Sequence, residues 1–148
     1  MNYSVKIHSD ASEFFENDKL ILKVIFGHFY LNKKRILGIN NEELLVFKIF
    51  NIFFKRKIRI LHQNLNKTLL VKNNTLIMDN NTLSIKEKFS ILKYEAVCLL
   101  NNEEIGVIKD ASTFLNNKYD VFFNRKDEYN YYFLILFGML SVGFADPA

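Results

Sequence analysis

The sequence contains very little proline, glycine or cysteine and no tryptophan. Among its 148 residues are one Pro, five Gly and one Cys. This scarcity of Pro and Gly excludes a collagen-like protein, a proline-rich protein and a Gly/Ser linker. Cys98 cannot form a disulfide within the chain, which predicts a reducing compartment and therefore a cytoplasmic protein. Its apolar neighbours predict a buried structural thiol and not a nucleophile.

The residue patterns of catalytic and metal centres are also missing. His8, His28 and His62 have no partner at metal-ligand spacing. The glycines do not approach the spacing of a phosphate-binding loop, and no local pattern supports a carboxylate pair or a catalytic triad. We therefore expect a protein that is not an enzyme and carries no metal or cofactor. The net charge of +4 is too small to indicate a nucleic acid partner.

The composition indicates one globular domain, residues 1–148, with a mainly β fold. Hydrophobic residues make up 49% of the chain and charged residues 24%. Asn occurs 18 times and tolerates the positive φ that tight hairpin turns require. The dipeptide Asn-Asn occurs at five places, which are 40–41, 73–74, 80–81, 101–102 and 116–117. Short runs rich in Ile, Leu, Val, Phe and Tyr flank these dipeptides, and this spacing predicts about twelve antiparallel strands.

The predicted strands are bounded only approximately by this pattern. Within 57–62, charged and aliphatic residues alternate with a period of two, as in a strand with one wet and one buried face. The strands predicted from such runs are 3–8, 19–26, 28–31, 35–39, 44–50, 57–63, 68–72, 75–79, 83–86, 94–100, 104–109, 113–115 and 119–123.

An internal repeat relates two parts of the chain at an offset of 61 residues. Residues 39–44 match residues 100–105, and Lys48 then falls on Lys109. The same offset places Phe53 on Phe114 and residues 57–61 on 118–122. Two copies are too few for a solenoid, so the repeat predicts one closed barrel built from two similar halves.

The one long apolar run, residues 131–144, contains no charged residue. As a helix it would span about 21 Å, whereas a bilayer core requires about 30 Å. We therefore expect a buried helix and no transmembrane segment, with Asp127 as the N-terminal cap of the helix. The alternative is that this run is a tail anchor in a membrane. A helix that is apolar on all sides must be buried on all sides. A barrel of about twelve strands is too wide for strand side chains alone to fill, so we expect this helix to lie along its axis.

These features together resemble a known fold. Hairpins with acidic turns and a basic exit residue, a partial duplication and a charge-free final helix are similar to the tubby C-terminal-like fold, which includes phospholipid scramblases and LURP-one-related proteins. The resemblance covers residues 3–146. It implies a twelve-stranded antiparallel closed barrel around a central hydrophobic C-terminal helix. It also implies binding to membrane surfaces or phosphoinositides, as in some members of that group.

Two basic groups are the candidate binding residues. One is Lys33, Lys34 and Arg35; the other is Lys55, Lys57 and Arg59. The second group has a spacing of two, so its side chains are expected on one strand face, with Arg56 opposite. Together they would form an anion-attracting patch worth about 1 kcal/mol per charge at an acidic membrane. The alternative is that these residues protect an edge strand from aggregation.

The leading functional hypothesis is a non-enzymatic cytoplasmic barrel, peripheral at the membrane, that binds an anionic lipid surface or a protein partner. Three alternatives stay open at this point. A pleckstrin-homology-like module would have seven strands and an amphipathic C-terminal helix. A small-molecule carrier or enzyme would need an empty barrel lumen. A tail-anchored protein would place its last helix in a bilayer.

Overall fold

The computed structural model describes residues 1–27, 33–53, 55–88 and 93–142, with only the backbone of residues 51, 52 and 55. Twelve strands and one helix lie in these ranges. Their bounds are β1 Asn2–Ile7, β2 Ala11–Glu16, β3 Lys19–Ile25, β4 Lys33–Leu37, β5 Glu43–Ile52, β6 Lys55–Gln63, β7 Leu70–Lys72, β8 Thr75–Met78, β9 Asn81–Lys88, β10 Glu95–Leu100, β11 Glu103–Asp110, β12 Lys118–Phe123 and α1 Tyr129–Leu140.

All twelve strands form one antiparallel sheet that curves into a nearly closed barrel. The strand order is β6-β5-β4-β3-β2-β1-β12-β11-β10-β9-β8-β7. The first strand, β1, pairs with the last strand, β12, with Tyr3 opposite Val121. These two strands therefore lie in the middle of the sheet, far from its two edges. Those edges are β6 and β7, which follow one another in the sequence. The predicted twelve-stranded antiparallel barrel is confirmed.

Side chains join the two edge strands where no backbone ladder is present in the described residues. The Gln63 amide nitrogen donates to the Leu69 carbonyl at 2.9 Å, and its oxygen accepts from the Leu69 N–H at 2.7 Å. Near the other end of the barrel, Asn74 Nδ2 donates to the Arg56 carbonyl at 3.1 Å. Side-chain hydrogen bonds thus connect β6 and β7 near both ends of the seam, and no backbone ladder joins the described residues of these two strands in between.

Asparagine makes most of the tight turns, as predicted. The turns at 40–41, 73–74 and 101–102 contain Asn with positive φ. The turn between β8 and β9 lies one residue earlier than predicted, at Asp79 and Asn80, which have φ values of 47° and 61°. Asn116 and Asn117 belong to a longer loop and have no positive φ. The dipeptide therefore located four of these five connections to within one residue.

Three strand predictions need correction or fall outside the described residues. Strand β2 was not predicted, because the sequence of Ala11–Glu16 does not alternate cleanly and a bulge interrupts it between Phe14 and Phe15. Pairing with β1 and β3 on both sides nevertheless holds it extended. The predicted strand at 113–115 is wrong, because this segment is an exposed turn closed by hydrogen bonds between Thr113 and Asn116. The predicted strand at 28–31 lies outside the described residues.

Helix α1 lies inside the barrel. The N-cap position is Glu128, and Asp127 just before it accepts a hydrogen bond at its Oδ1 from the Tyr129 N–H at 3.1 Å, so Asp127 bonds the first turn of the helix as predicted. Every residue from 132 to 139 is buried. The Phe137 ring contacts Phe14 of β2 in an edge-to-face arrangement, with ring centroids 6.3 Å apart. On the opposite side of the barrel, Asn81 of β9 donates to the Tyr129 hydroxyl at 2.9 Å.

The packing around the helix leaves little room for a ligand. A Cβ added at Gly138 would lie 2.8 Å from Val24 Cγ2, so the helix and β3 approach as closely as glycine permits. The helix occupies the space that a carrier would need empty. Twelve strands and a helix buried on all sides also contradict the pleckstrin-homology-like alternative, which requires seven strands and an amphipathic helix. No helix in the described ranges is long and apolar enough to cross a membrane.

The internal repeat corresponds to two opposite sides of the barrel. In β5 and β6, Lys48 lies opposite Arg59, and the next pair is Phe47 with Ile60. In β11 and β12, the pairs at the same offset of 61 residues are Lys109 with Asp120 and Ile108 with Val121. The two hairpins therefore share one register. They lie six strands apart in the order of twelve, so each faces the other across the helix.

Candidate anion-binding site

Positive charge is concentrated on strands β4 to β6. Residues 33–63 contain eight Lys and Arg against two Glu, a net charge of +6, whereas the whole chain carries +4. The rest of the chain is therefore net acidic. A concentration of one sign on adjacent strands creates a local potential that the modest total charge does not reveal.

Three of these cations form a row across three strands. Lys33 of β4 lies directly opposite Lys48 of β5, and Lys48 lies directly opposite Arg59 of β6. All three point to the outside of the barrel, because their strand neighbours Phe47 and Ile58 are buried inside it. We call these three residues the basic row.

Arg35 and Lys57 extend the basic row along its two outer strands. Arg35 follows Lys33 at a spacing of two on β4, and Lys57 precedes Arg59 at the same spacing on β6, so they share the outward face. The basic row with Arg35 and Lys57 is called the basic face below. No carboxylate of the described residues forms an ion pair with any of these five cations. Like charges directly opposite one another destabilise a sheet, so the basic row lowers the stability of the barrel.

The corresponding row in the other half of the barrel alternates in sign. Glu95 of β10 lies opposite Lys109 of β11, which lies opposite Asp120 of β12. Glu95 also pairs with Lys88 at 3.8 Å, and Asp120 with Lys118 at 3.8 Å. The barrel architecture therefore accepts a balanced row at this place, and the uniform positive charge is a property of β4 to β6.

The structure brings four of the six predicted site residues together. Lys33, Arg35, Lys57 and Arg59 lie on one outer face, because β5 joins the two strands that carry them. Lys48 on β5 was missed, although the alternation of buried Leu45 and Phe47 with less buried residues in β5 marks it as outward-facing.

Lys34 does not belong to this face. It stands opposite buried Phe47, so the strand alternation turns its side chain inward. Lys34 is half-buried there, and burial lowers the pKa of its ammonium group. Lys34 therefore does not share the outer face with the other predicted cations, because a run of adjacent basic residues in a strand divides between its two faces. The side chain of Lys55 lies outside the described residues.

The edge-protection alternative explains only part of the basic face. Strand β6 is an edge of the sheet, so Lys57 and Arg59 are where protective charges would be placed. Lys33 and Lys48 lie on β4 and β5, which are paired on both sides. Protection of an edge gives no reason for these two interior cations.

Two surface grooves border the basic row. The groove at the seam between β6 and β7 has a volume of about 390 Å³ and is lined by the cations Lys57, Arg59 and Lys72, with no carboxylate among its described lining residues. The groove on the other side, over β2 to β5, has a volume of about 690 Å³. Its charged lining is mixed, with Lys23, Lys33 and Arg35 against Asp10, Glu13 and Glu43. The seam groove is therefore the better suited of the two to an anion.

The remaining candidate reactive groups are the single cysteine and the three histidines. Cys98 is fully buried, and burial raises the pKa of its thiol to about 12, which agrees with the predicted structural thiol. His8 Nε2 lies 2.7 Å from Glu13 Oε1 on the outer wall, and His62 lies opposite Val46. His28 is outside the described residues. Within the described ranges no group of three His, Cys, Asp or Glu residues is placed to hold a metal ion.

Comparison of the chain with protein-family models, with curated proteins and with solved structures found no match in any of the three.

Proposed function

We propose that the protein is a non-enzymatic binding module that associates with anionic membrane surfaces through its basic face. The observation that carries this proposal is the basic row, in which Lys33, Lys48 and Arg59 face outward side by side. No carboxylate in the described part of the chain forms an ion pair with them. Repulsion within this row reduces the stability of the free protein, and an approaching anionic surface relieves that repulsion.

The geometry favours an extended surface over an enclosed ligand. Neighbouring strands are about 4.8 Å apart, so the basic row spans roughly 10 Å along the outer wall of the barrel. Five cations at about 1 kcal/mol each give about 5 kcal/mol, which corresponds to a weak and reversible association. This strength suits a peripheral protein that exchanges between the membrane and water.

As part of this proposal, the protein is related to tubby C-terminal-like proteins. A twelve-stranded barrel around a buried C-terminal helix supports it. The lipid-binding role of some members of that group agrees with the basic face. We place the protein in the cytoplasm, at the inner membrane surface, because the net positive face matches the anionic lipids there.

Vesicle binding tests the proposal. The chain is mixed with phosphatidylcholine vesicles and with vesicles that also contain phosphatidylserine, and the bound fraction is measured by sedimentation. We expect binding to the anionic vesicles only. The double change Lys48→Gln and Arg59→Gln should weaken it about 30-fold, since two charges are lost.

The matched control removes two charges elsewhere. Lys19 and Lys126 are exposed and lie at the opposite end of the barrel from Lys33, so Lys19→Gln with Lys126→Gln changes the net charge equally. An equal loss of binding in both double variants would contradict a role for the basic face. Equal binding to neutral and anionic vesicles would contradict the proposed function, and binding to an acidic protein alone would favour a protein partner.

A further inference from the structure

Three large apolar side chains are almost entirely exposed at one end of the barrel. Phe53 at the β5–β6 turn is 92% exposed, and Phe114 and Leu115 in the β11–β12 loop are 101% and 85% exposed. In an antiparallel meander, every connection that follows an odd-numbered strand lies at the same end. Phe53 and Phe114 therefore share an end, and the repeat places them on opposite sides of it.

This end of the barrel is also strongly basic. The described residues in and beside its connections, 6–11, 26–34, 50–57, 72–75, 86–95 and 109–118, include twelve Lys and Arg against four Asp and Glu. At the other end, the connections and the residues beside them contain four Lys and Arg against nine Asp and Glu. These ranges are 16–20, 38–43, 63–70, 78–82, 100–104 and 124–128. The barrel thus has a basic end and an acidic end, although its total charge is only +4.

We infer that the barrel stands with its basic end on an anionic membrane, with Phe53 on one side and Phe114 with Leu115 on the other inserted among the lipid head groups. This inference rests on the proposed function and adds an orientation and an apolar contact to it. Aromatic and aliphatic side chains enter the boundary between head groups and acyl chains, while nearby cations attract anionic lipids.

The basic face extends toward this end of the barrel. Lys57 lies opposite Phe50, two pairs before the β5–β6 ladder ends at Ile52 and Lys55, and the basic row lies two pairs farther from that end. Two apolar contacts on opposite sides of the barrel would hold its axis upright. A single contact at Phe53 would instead let the molecule lean onto the β4–β6 wall.

Tryptophan scanning tests the inference, because the chain contains no tryptophan of its own. Phe53→Trp and Phe114→Trp place single reporters at the two proposed contacts. Leu70→Trp is the control, since Leu70 is 60% exposed at the start of β7, toward the acidic end. Each variant is mixed with phosphatidylcholine–phosphatidylserine vesicles that contain lipids brominated in their acyl chains. We expect a blue shift and bromine quenching at positions 53 and 114 and neither at 70.

The outcomes separate this inference from the proposed function. Vesicle binding without quenching at positions 53 and 114 would overturn the inserted end and leave the proposed function intact. Quenching at position 53 alone would overturn the upright orientation. Absence of vesicle binding by the unmodified chain would overturn both.

Alanine variants provide a second readout. Phe53→Ala combined with Phe114→Ala should weaken binding about tenfold, whereas Leu70→Ala should leave it unchanged. Because both Phe side chains are exposed, their removal should also leave the thermal unfolding of the protein unchanged. Concentration-dependent self-association that the double alanine change abolishes, without an effect on vesicle binding, would show that these side chains meet a second copy and would overturn the inference.

Discussion

Lys48 and Lys109 occupy equivalent positions in the two halves of the barrel but have neighbours of opposite charge. Lys48 stands between Lys33 and Arg59, and Lys109 stands between Glu95 and Asp120. Phe47 beside Lys48 and Ile108 beside Lys109 are both fully buried, because both pack into one core around the helix. The fold therefore constrains the inner face of each hairpin and leaves the outer face free, so a difference in outer charge points to function.

Among exchanges of charge between the two halves, we expect the largest loss of vesicle binding from a change at Arg59. Arg59→Asp reproduces on β6 the acidic residue that Asp120 provides on β12. We expect binding to phosphatidylserine-containing vesicles to fall about 30-fold or more, since one cation is lost and one anion gained. Binding that stays within twofold of the unmodified chain would show that the basic row does not meet the membrane.

The reverse exchange is Asp120→Arg, which gives β12 the charge that Arg59 gives β6. This change removes the ion pair with Lys118 and places a cation opposite Lys109. With the barrel upright on its basic end, β12 lies as near the membrane as β6 does, so we expect the affinity for the same vesicles to rise about tenfold. We expect the unfolding free energy to fall by about 0.5–1 kcal/mol. Vesicle sedimentation and urea unfolding measure the two effects. A fall in affinity would mean that the two hairpins are not interchangeable at the membrane.

Removing the central lysine should have opposite effects on stability in the two halves. Lys48→Gln relieves repulsion from Lys33 and Arg59, so the unfolding free energy should rise by about 0.5 kcal/mol. Lys109→Gln removes attraction to Glu95 and Asp120, so it should fall by about the same amount. Urea unfolding at low salt measures both. Changes of the same sign would contradict the electrostatic contrast.

The smallest expected effect is the pH dependence that Lys34 gives to the stability of the protein. In the other half, the inward position opposite Ile108 is filled by fully buried Ala96, whereas Lys34 places an ammonium group opposite Phe47. Because burial lowers its pKa in the folded state, the unfolded chain binds more protons between this lowered pKa and the ordinary value of 10.5. The stability contribution of Lys34 should therefore rise with pH in that window.

A substitution without a charge removes this pH dependence. We expect Lys34→Met to raise the urea midpoint modestly at pH 7 and to lose part of that advantage as the pH approaches 10.5. Lys126→Met is the control, since Lys126 is exposed in the loop before α1 and does not belong to the basic face. An advantage of Lys34→Met that is independent of pH would contradict a buried ammonium group.

Local sequence determined much of the architecture. Asn residues with positive φ set the tight turns, period-two alternation set most strands, and the charge-free run predicted a helix buried on all sides. The 61-residue repeat also indicated two similar halves, which share one register in the barrel. These features depend on a residue and its near neighbours in the chain, so they can be derived without knowing which strands meet.

Only the tertiary structure decided the rest. Strand β2 is extended because β1 and β3 pair with it on both sides, despite its irregular pattern. The pairing of β4, β5 and β6 brought Lys33 and Arg59 to the two sides of Lys48 and turned Lys34 away from them. Closure of the barrel through β1 and β12 assigned each connection to a basic or an acidic end. Such groupings depend on strand pairing and register between residues distant in sequence, which local backbone preferences do not specify.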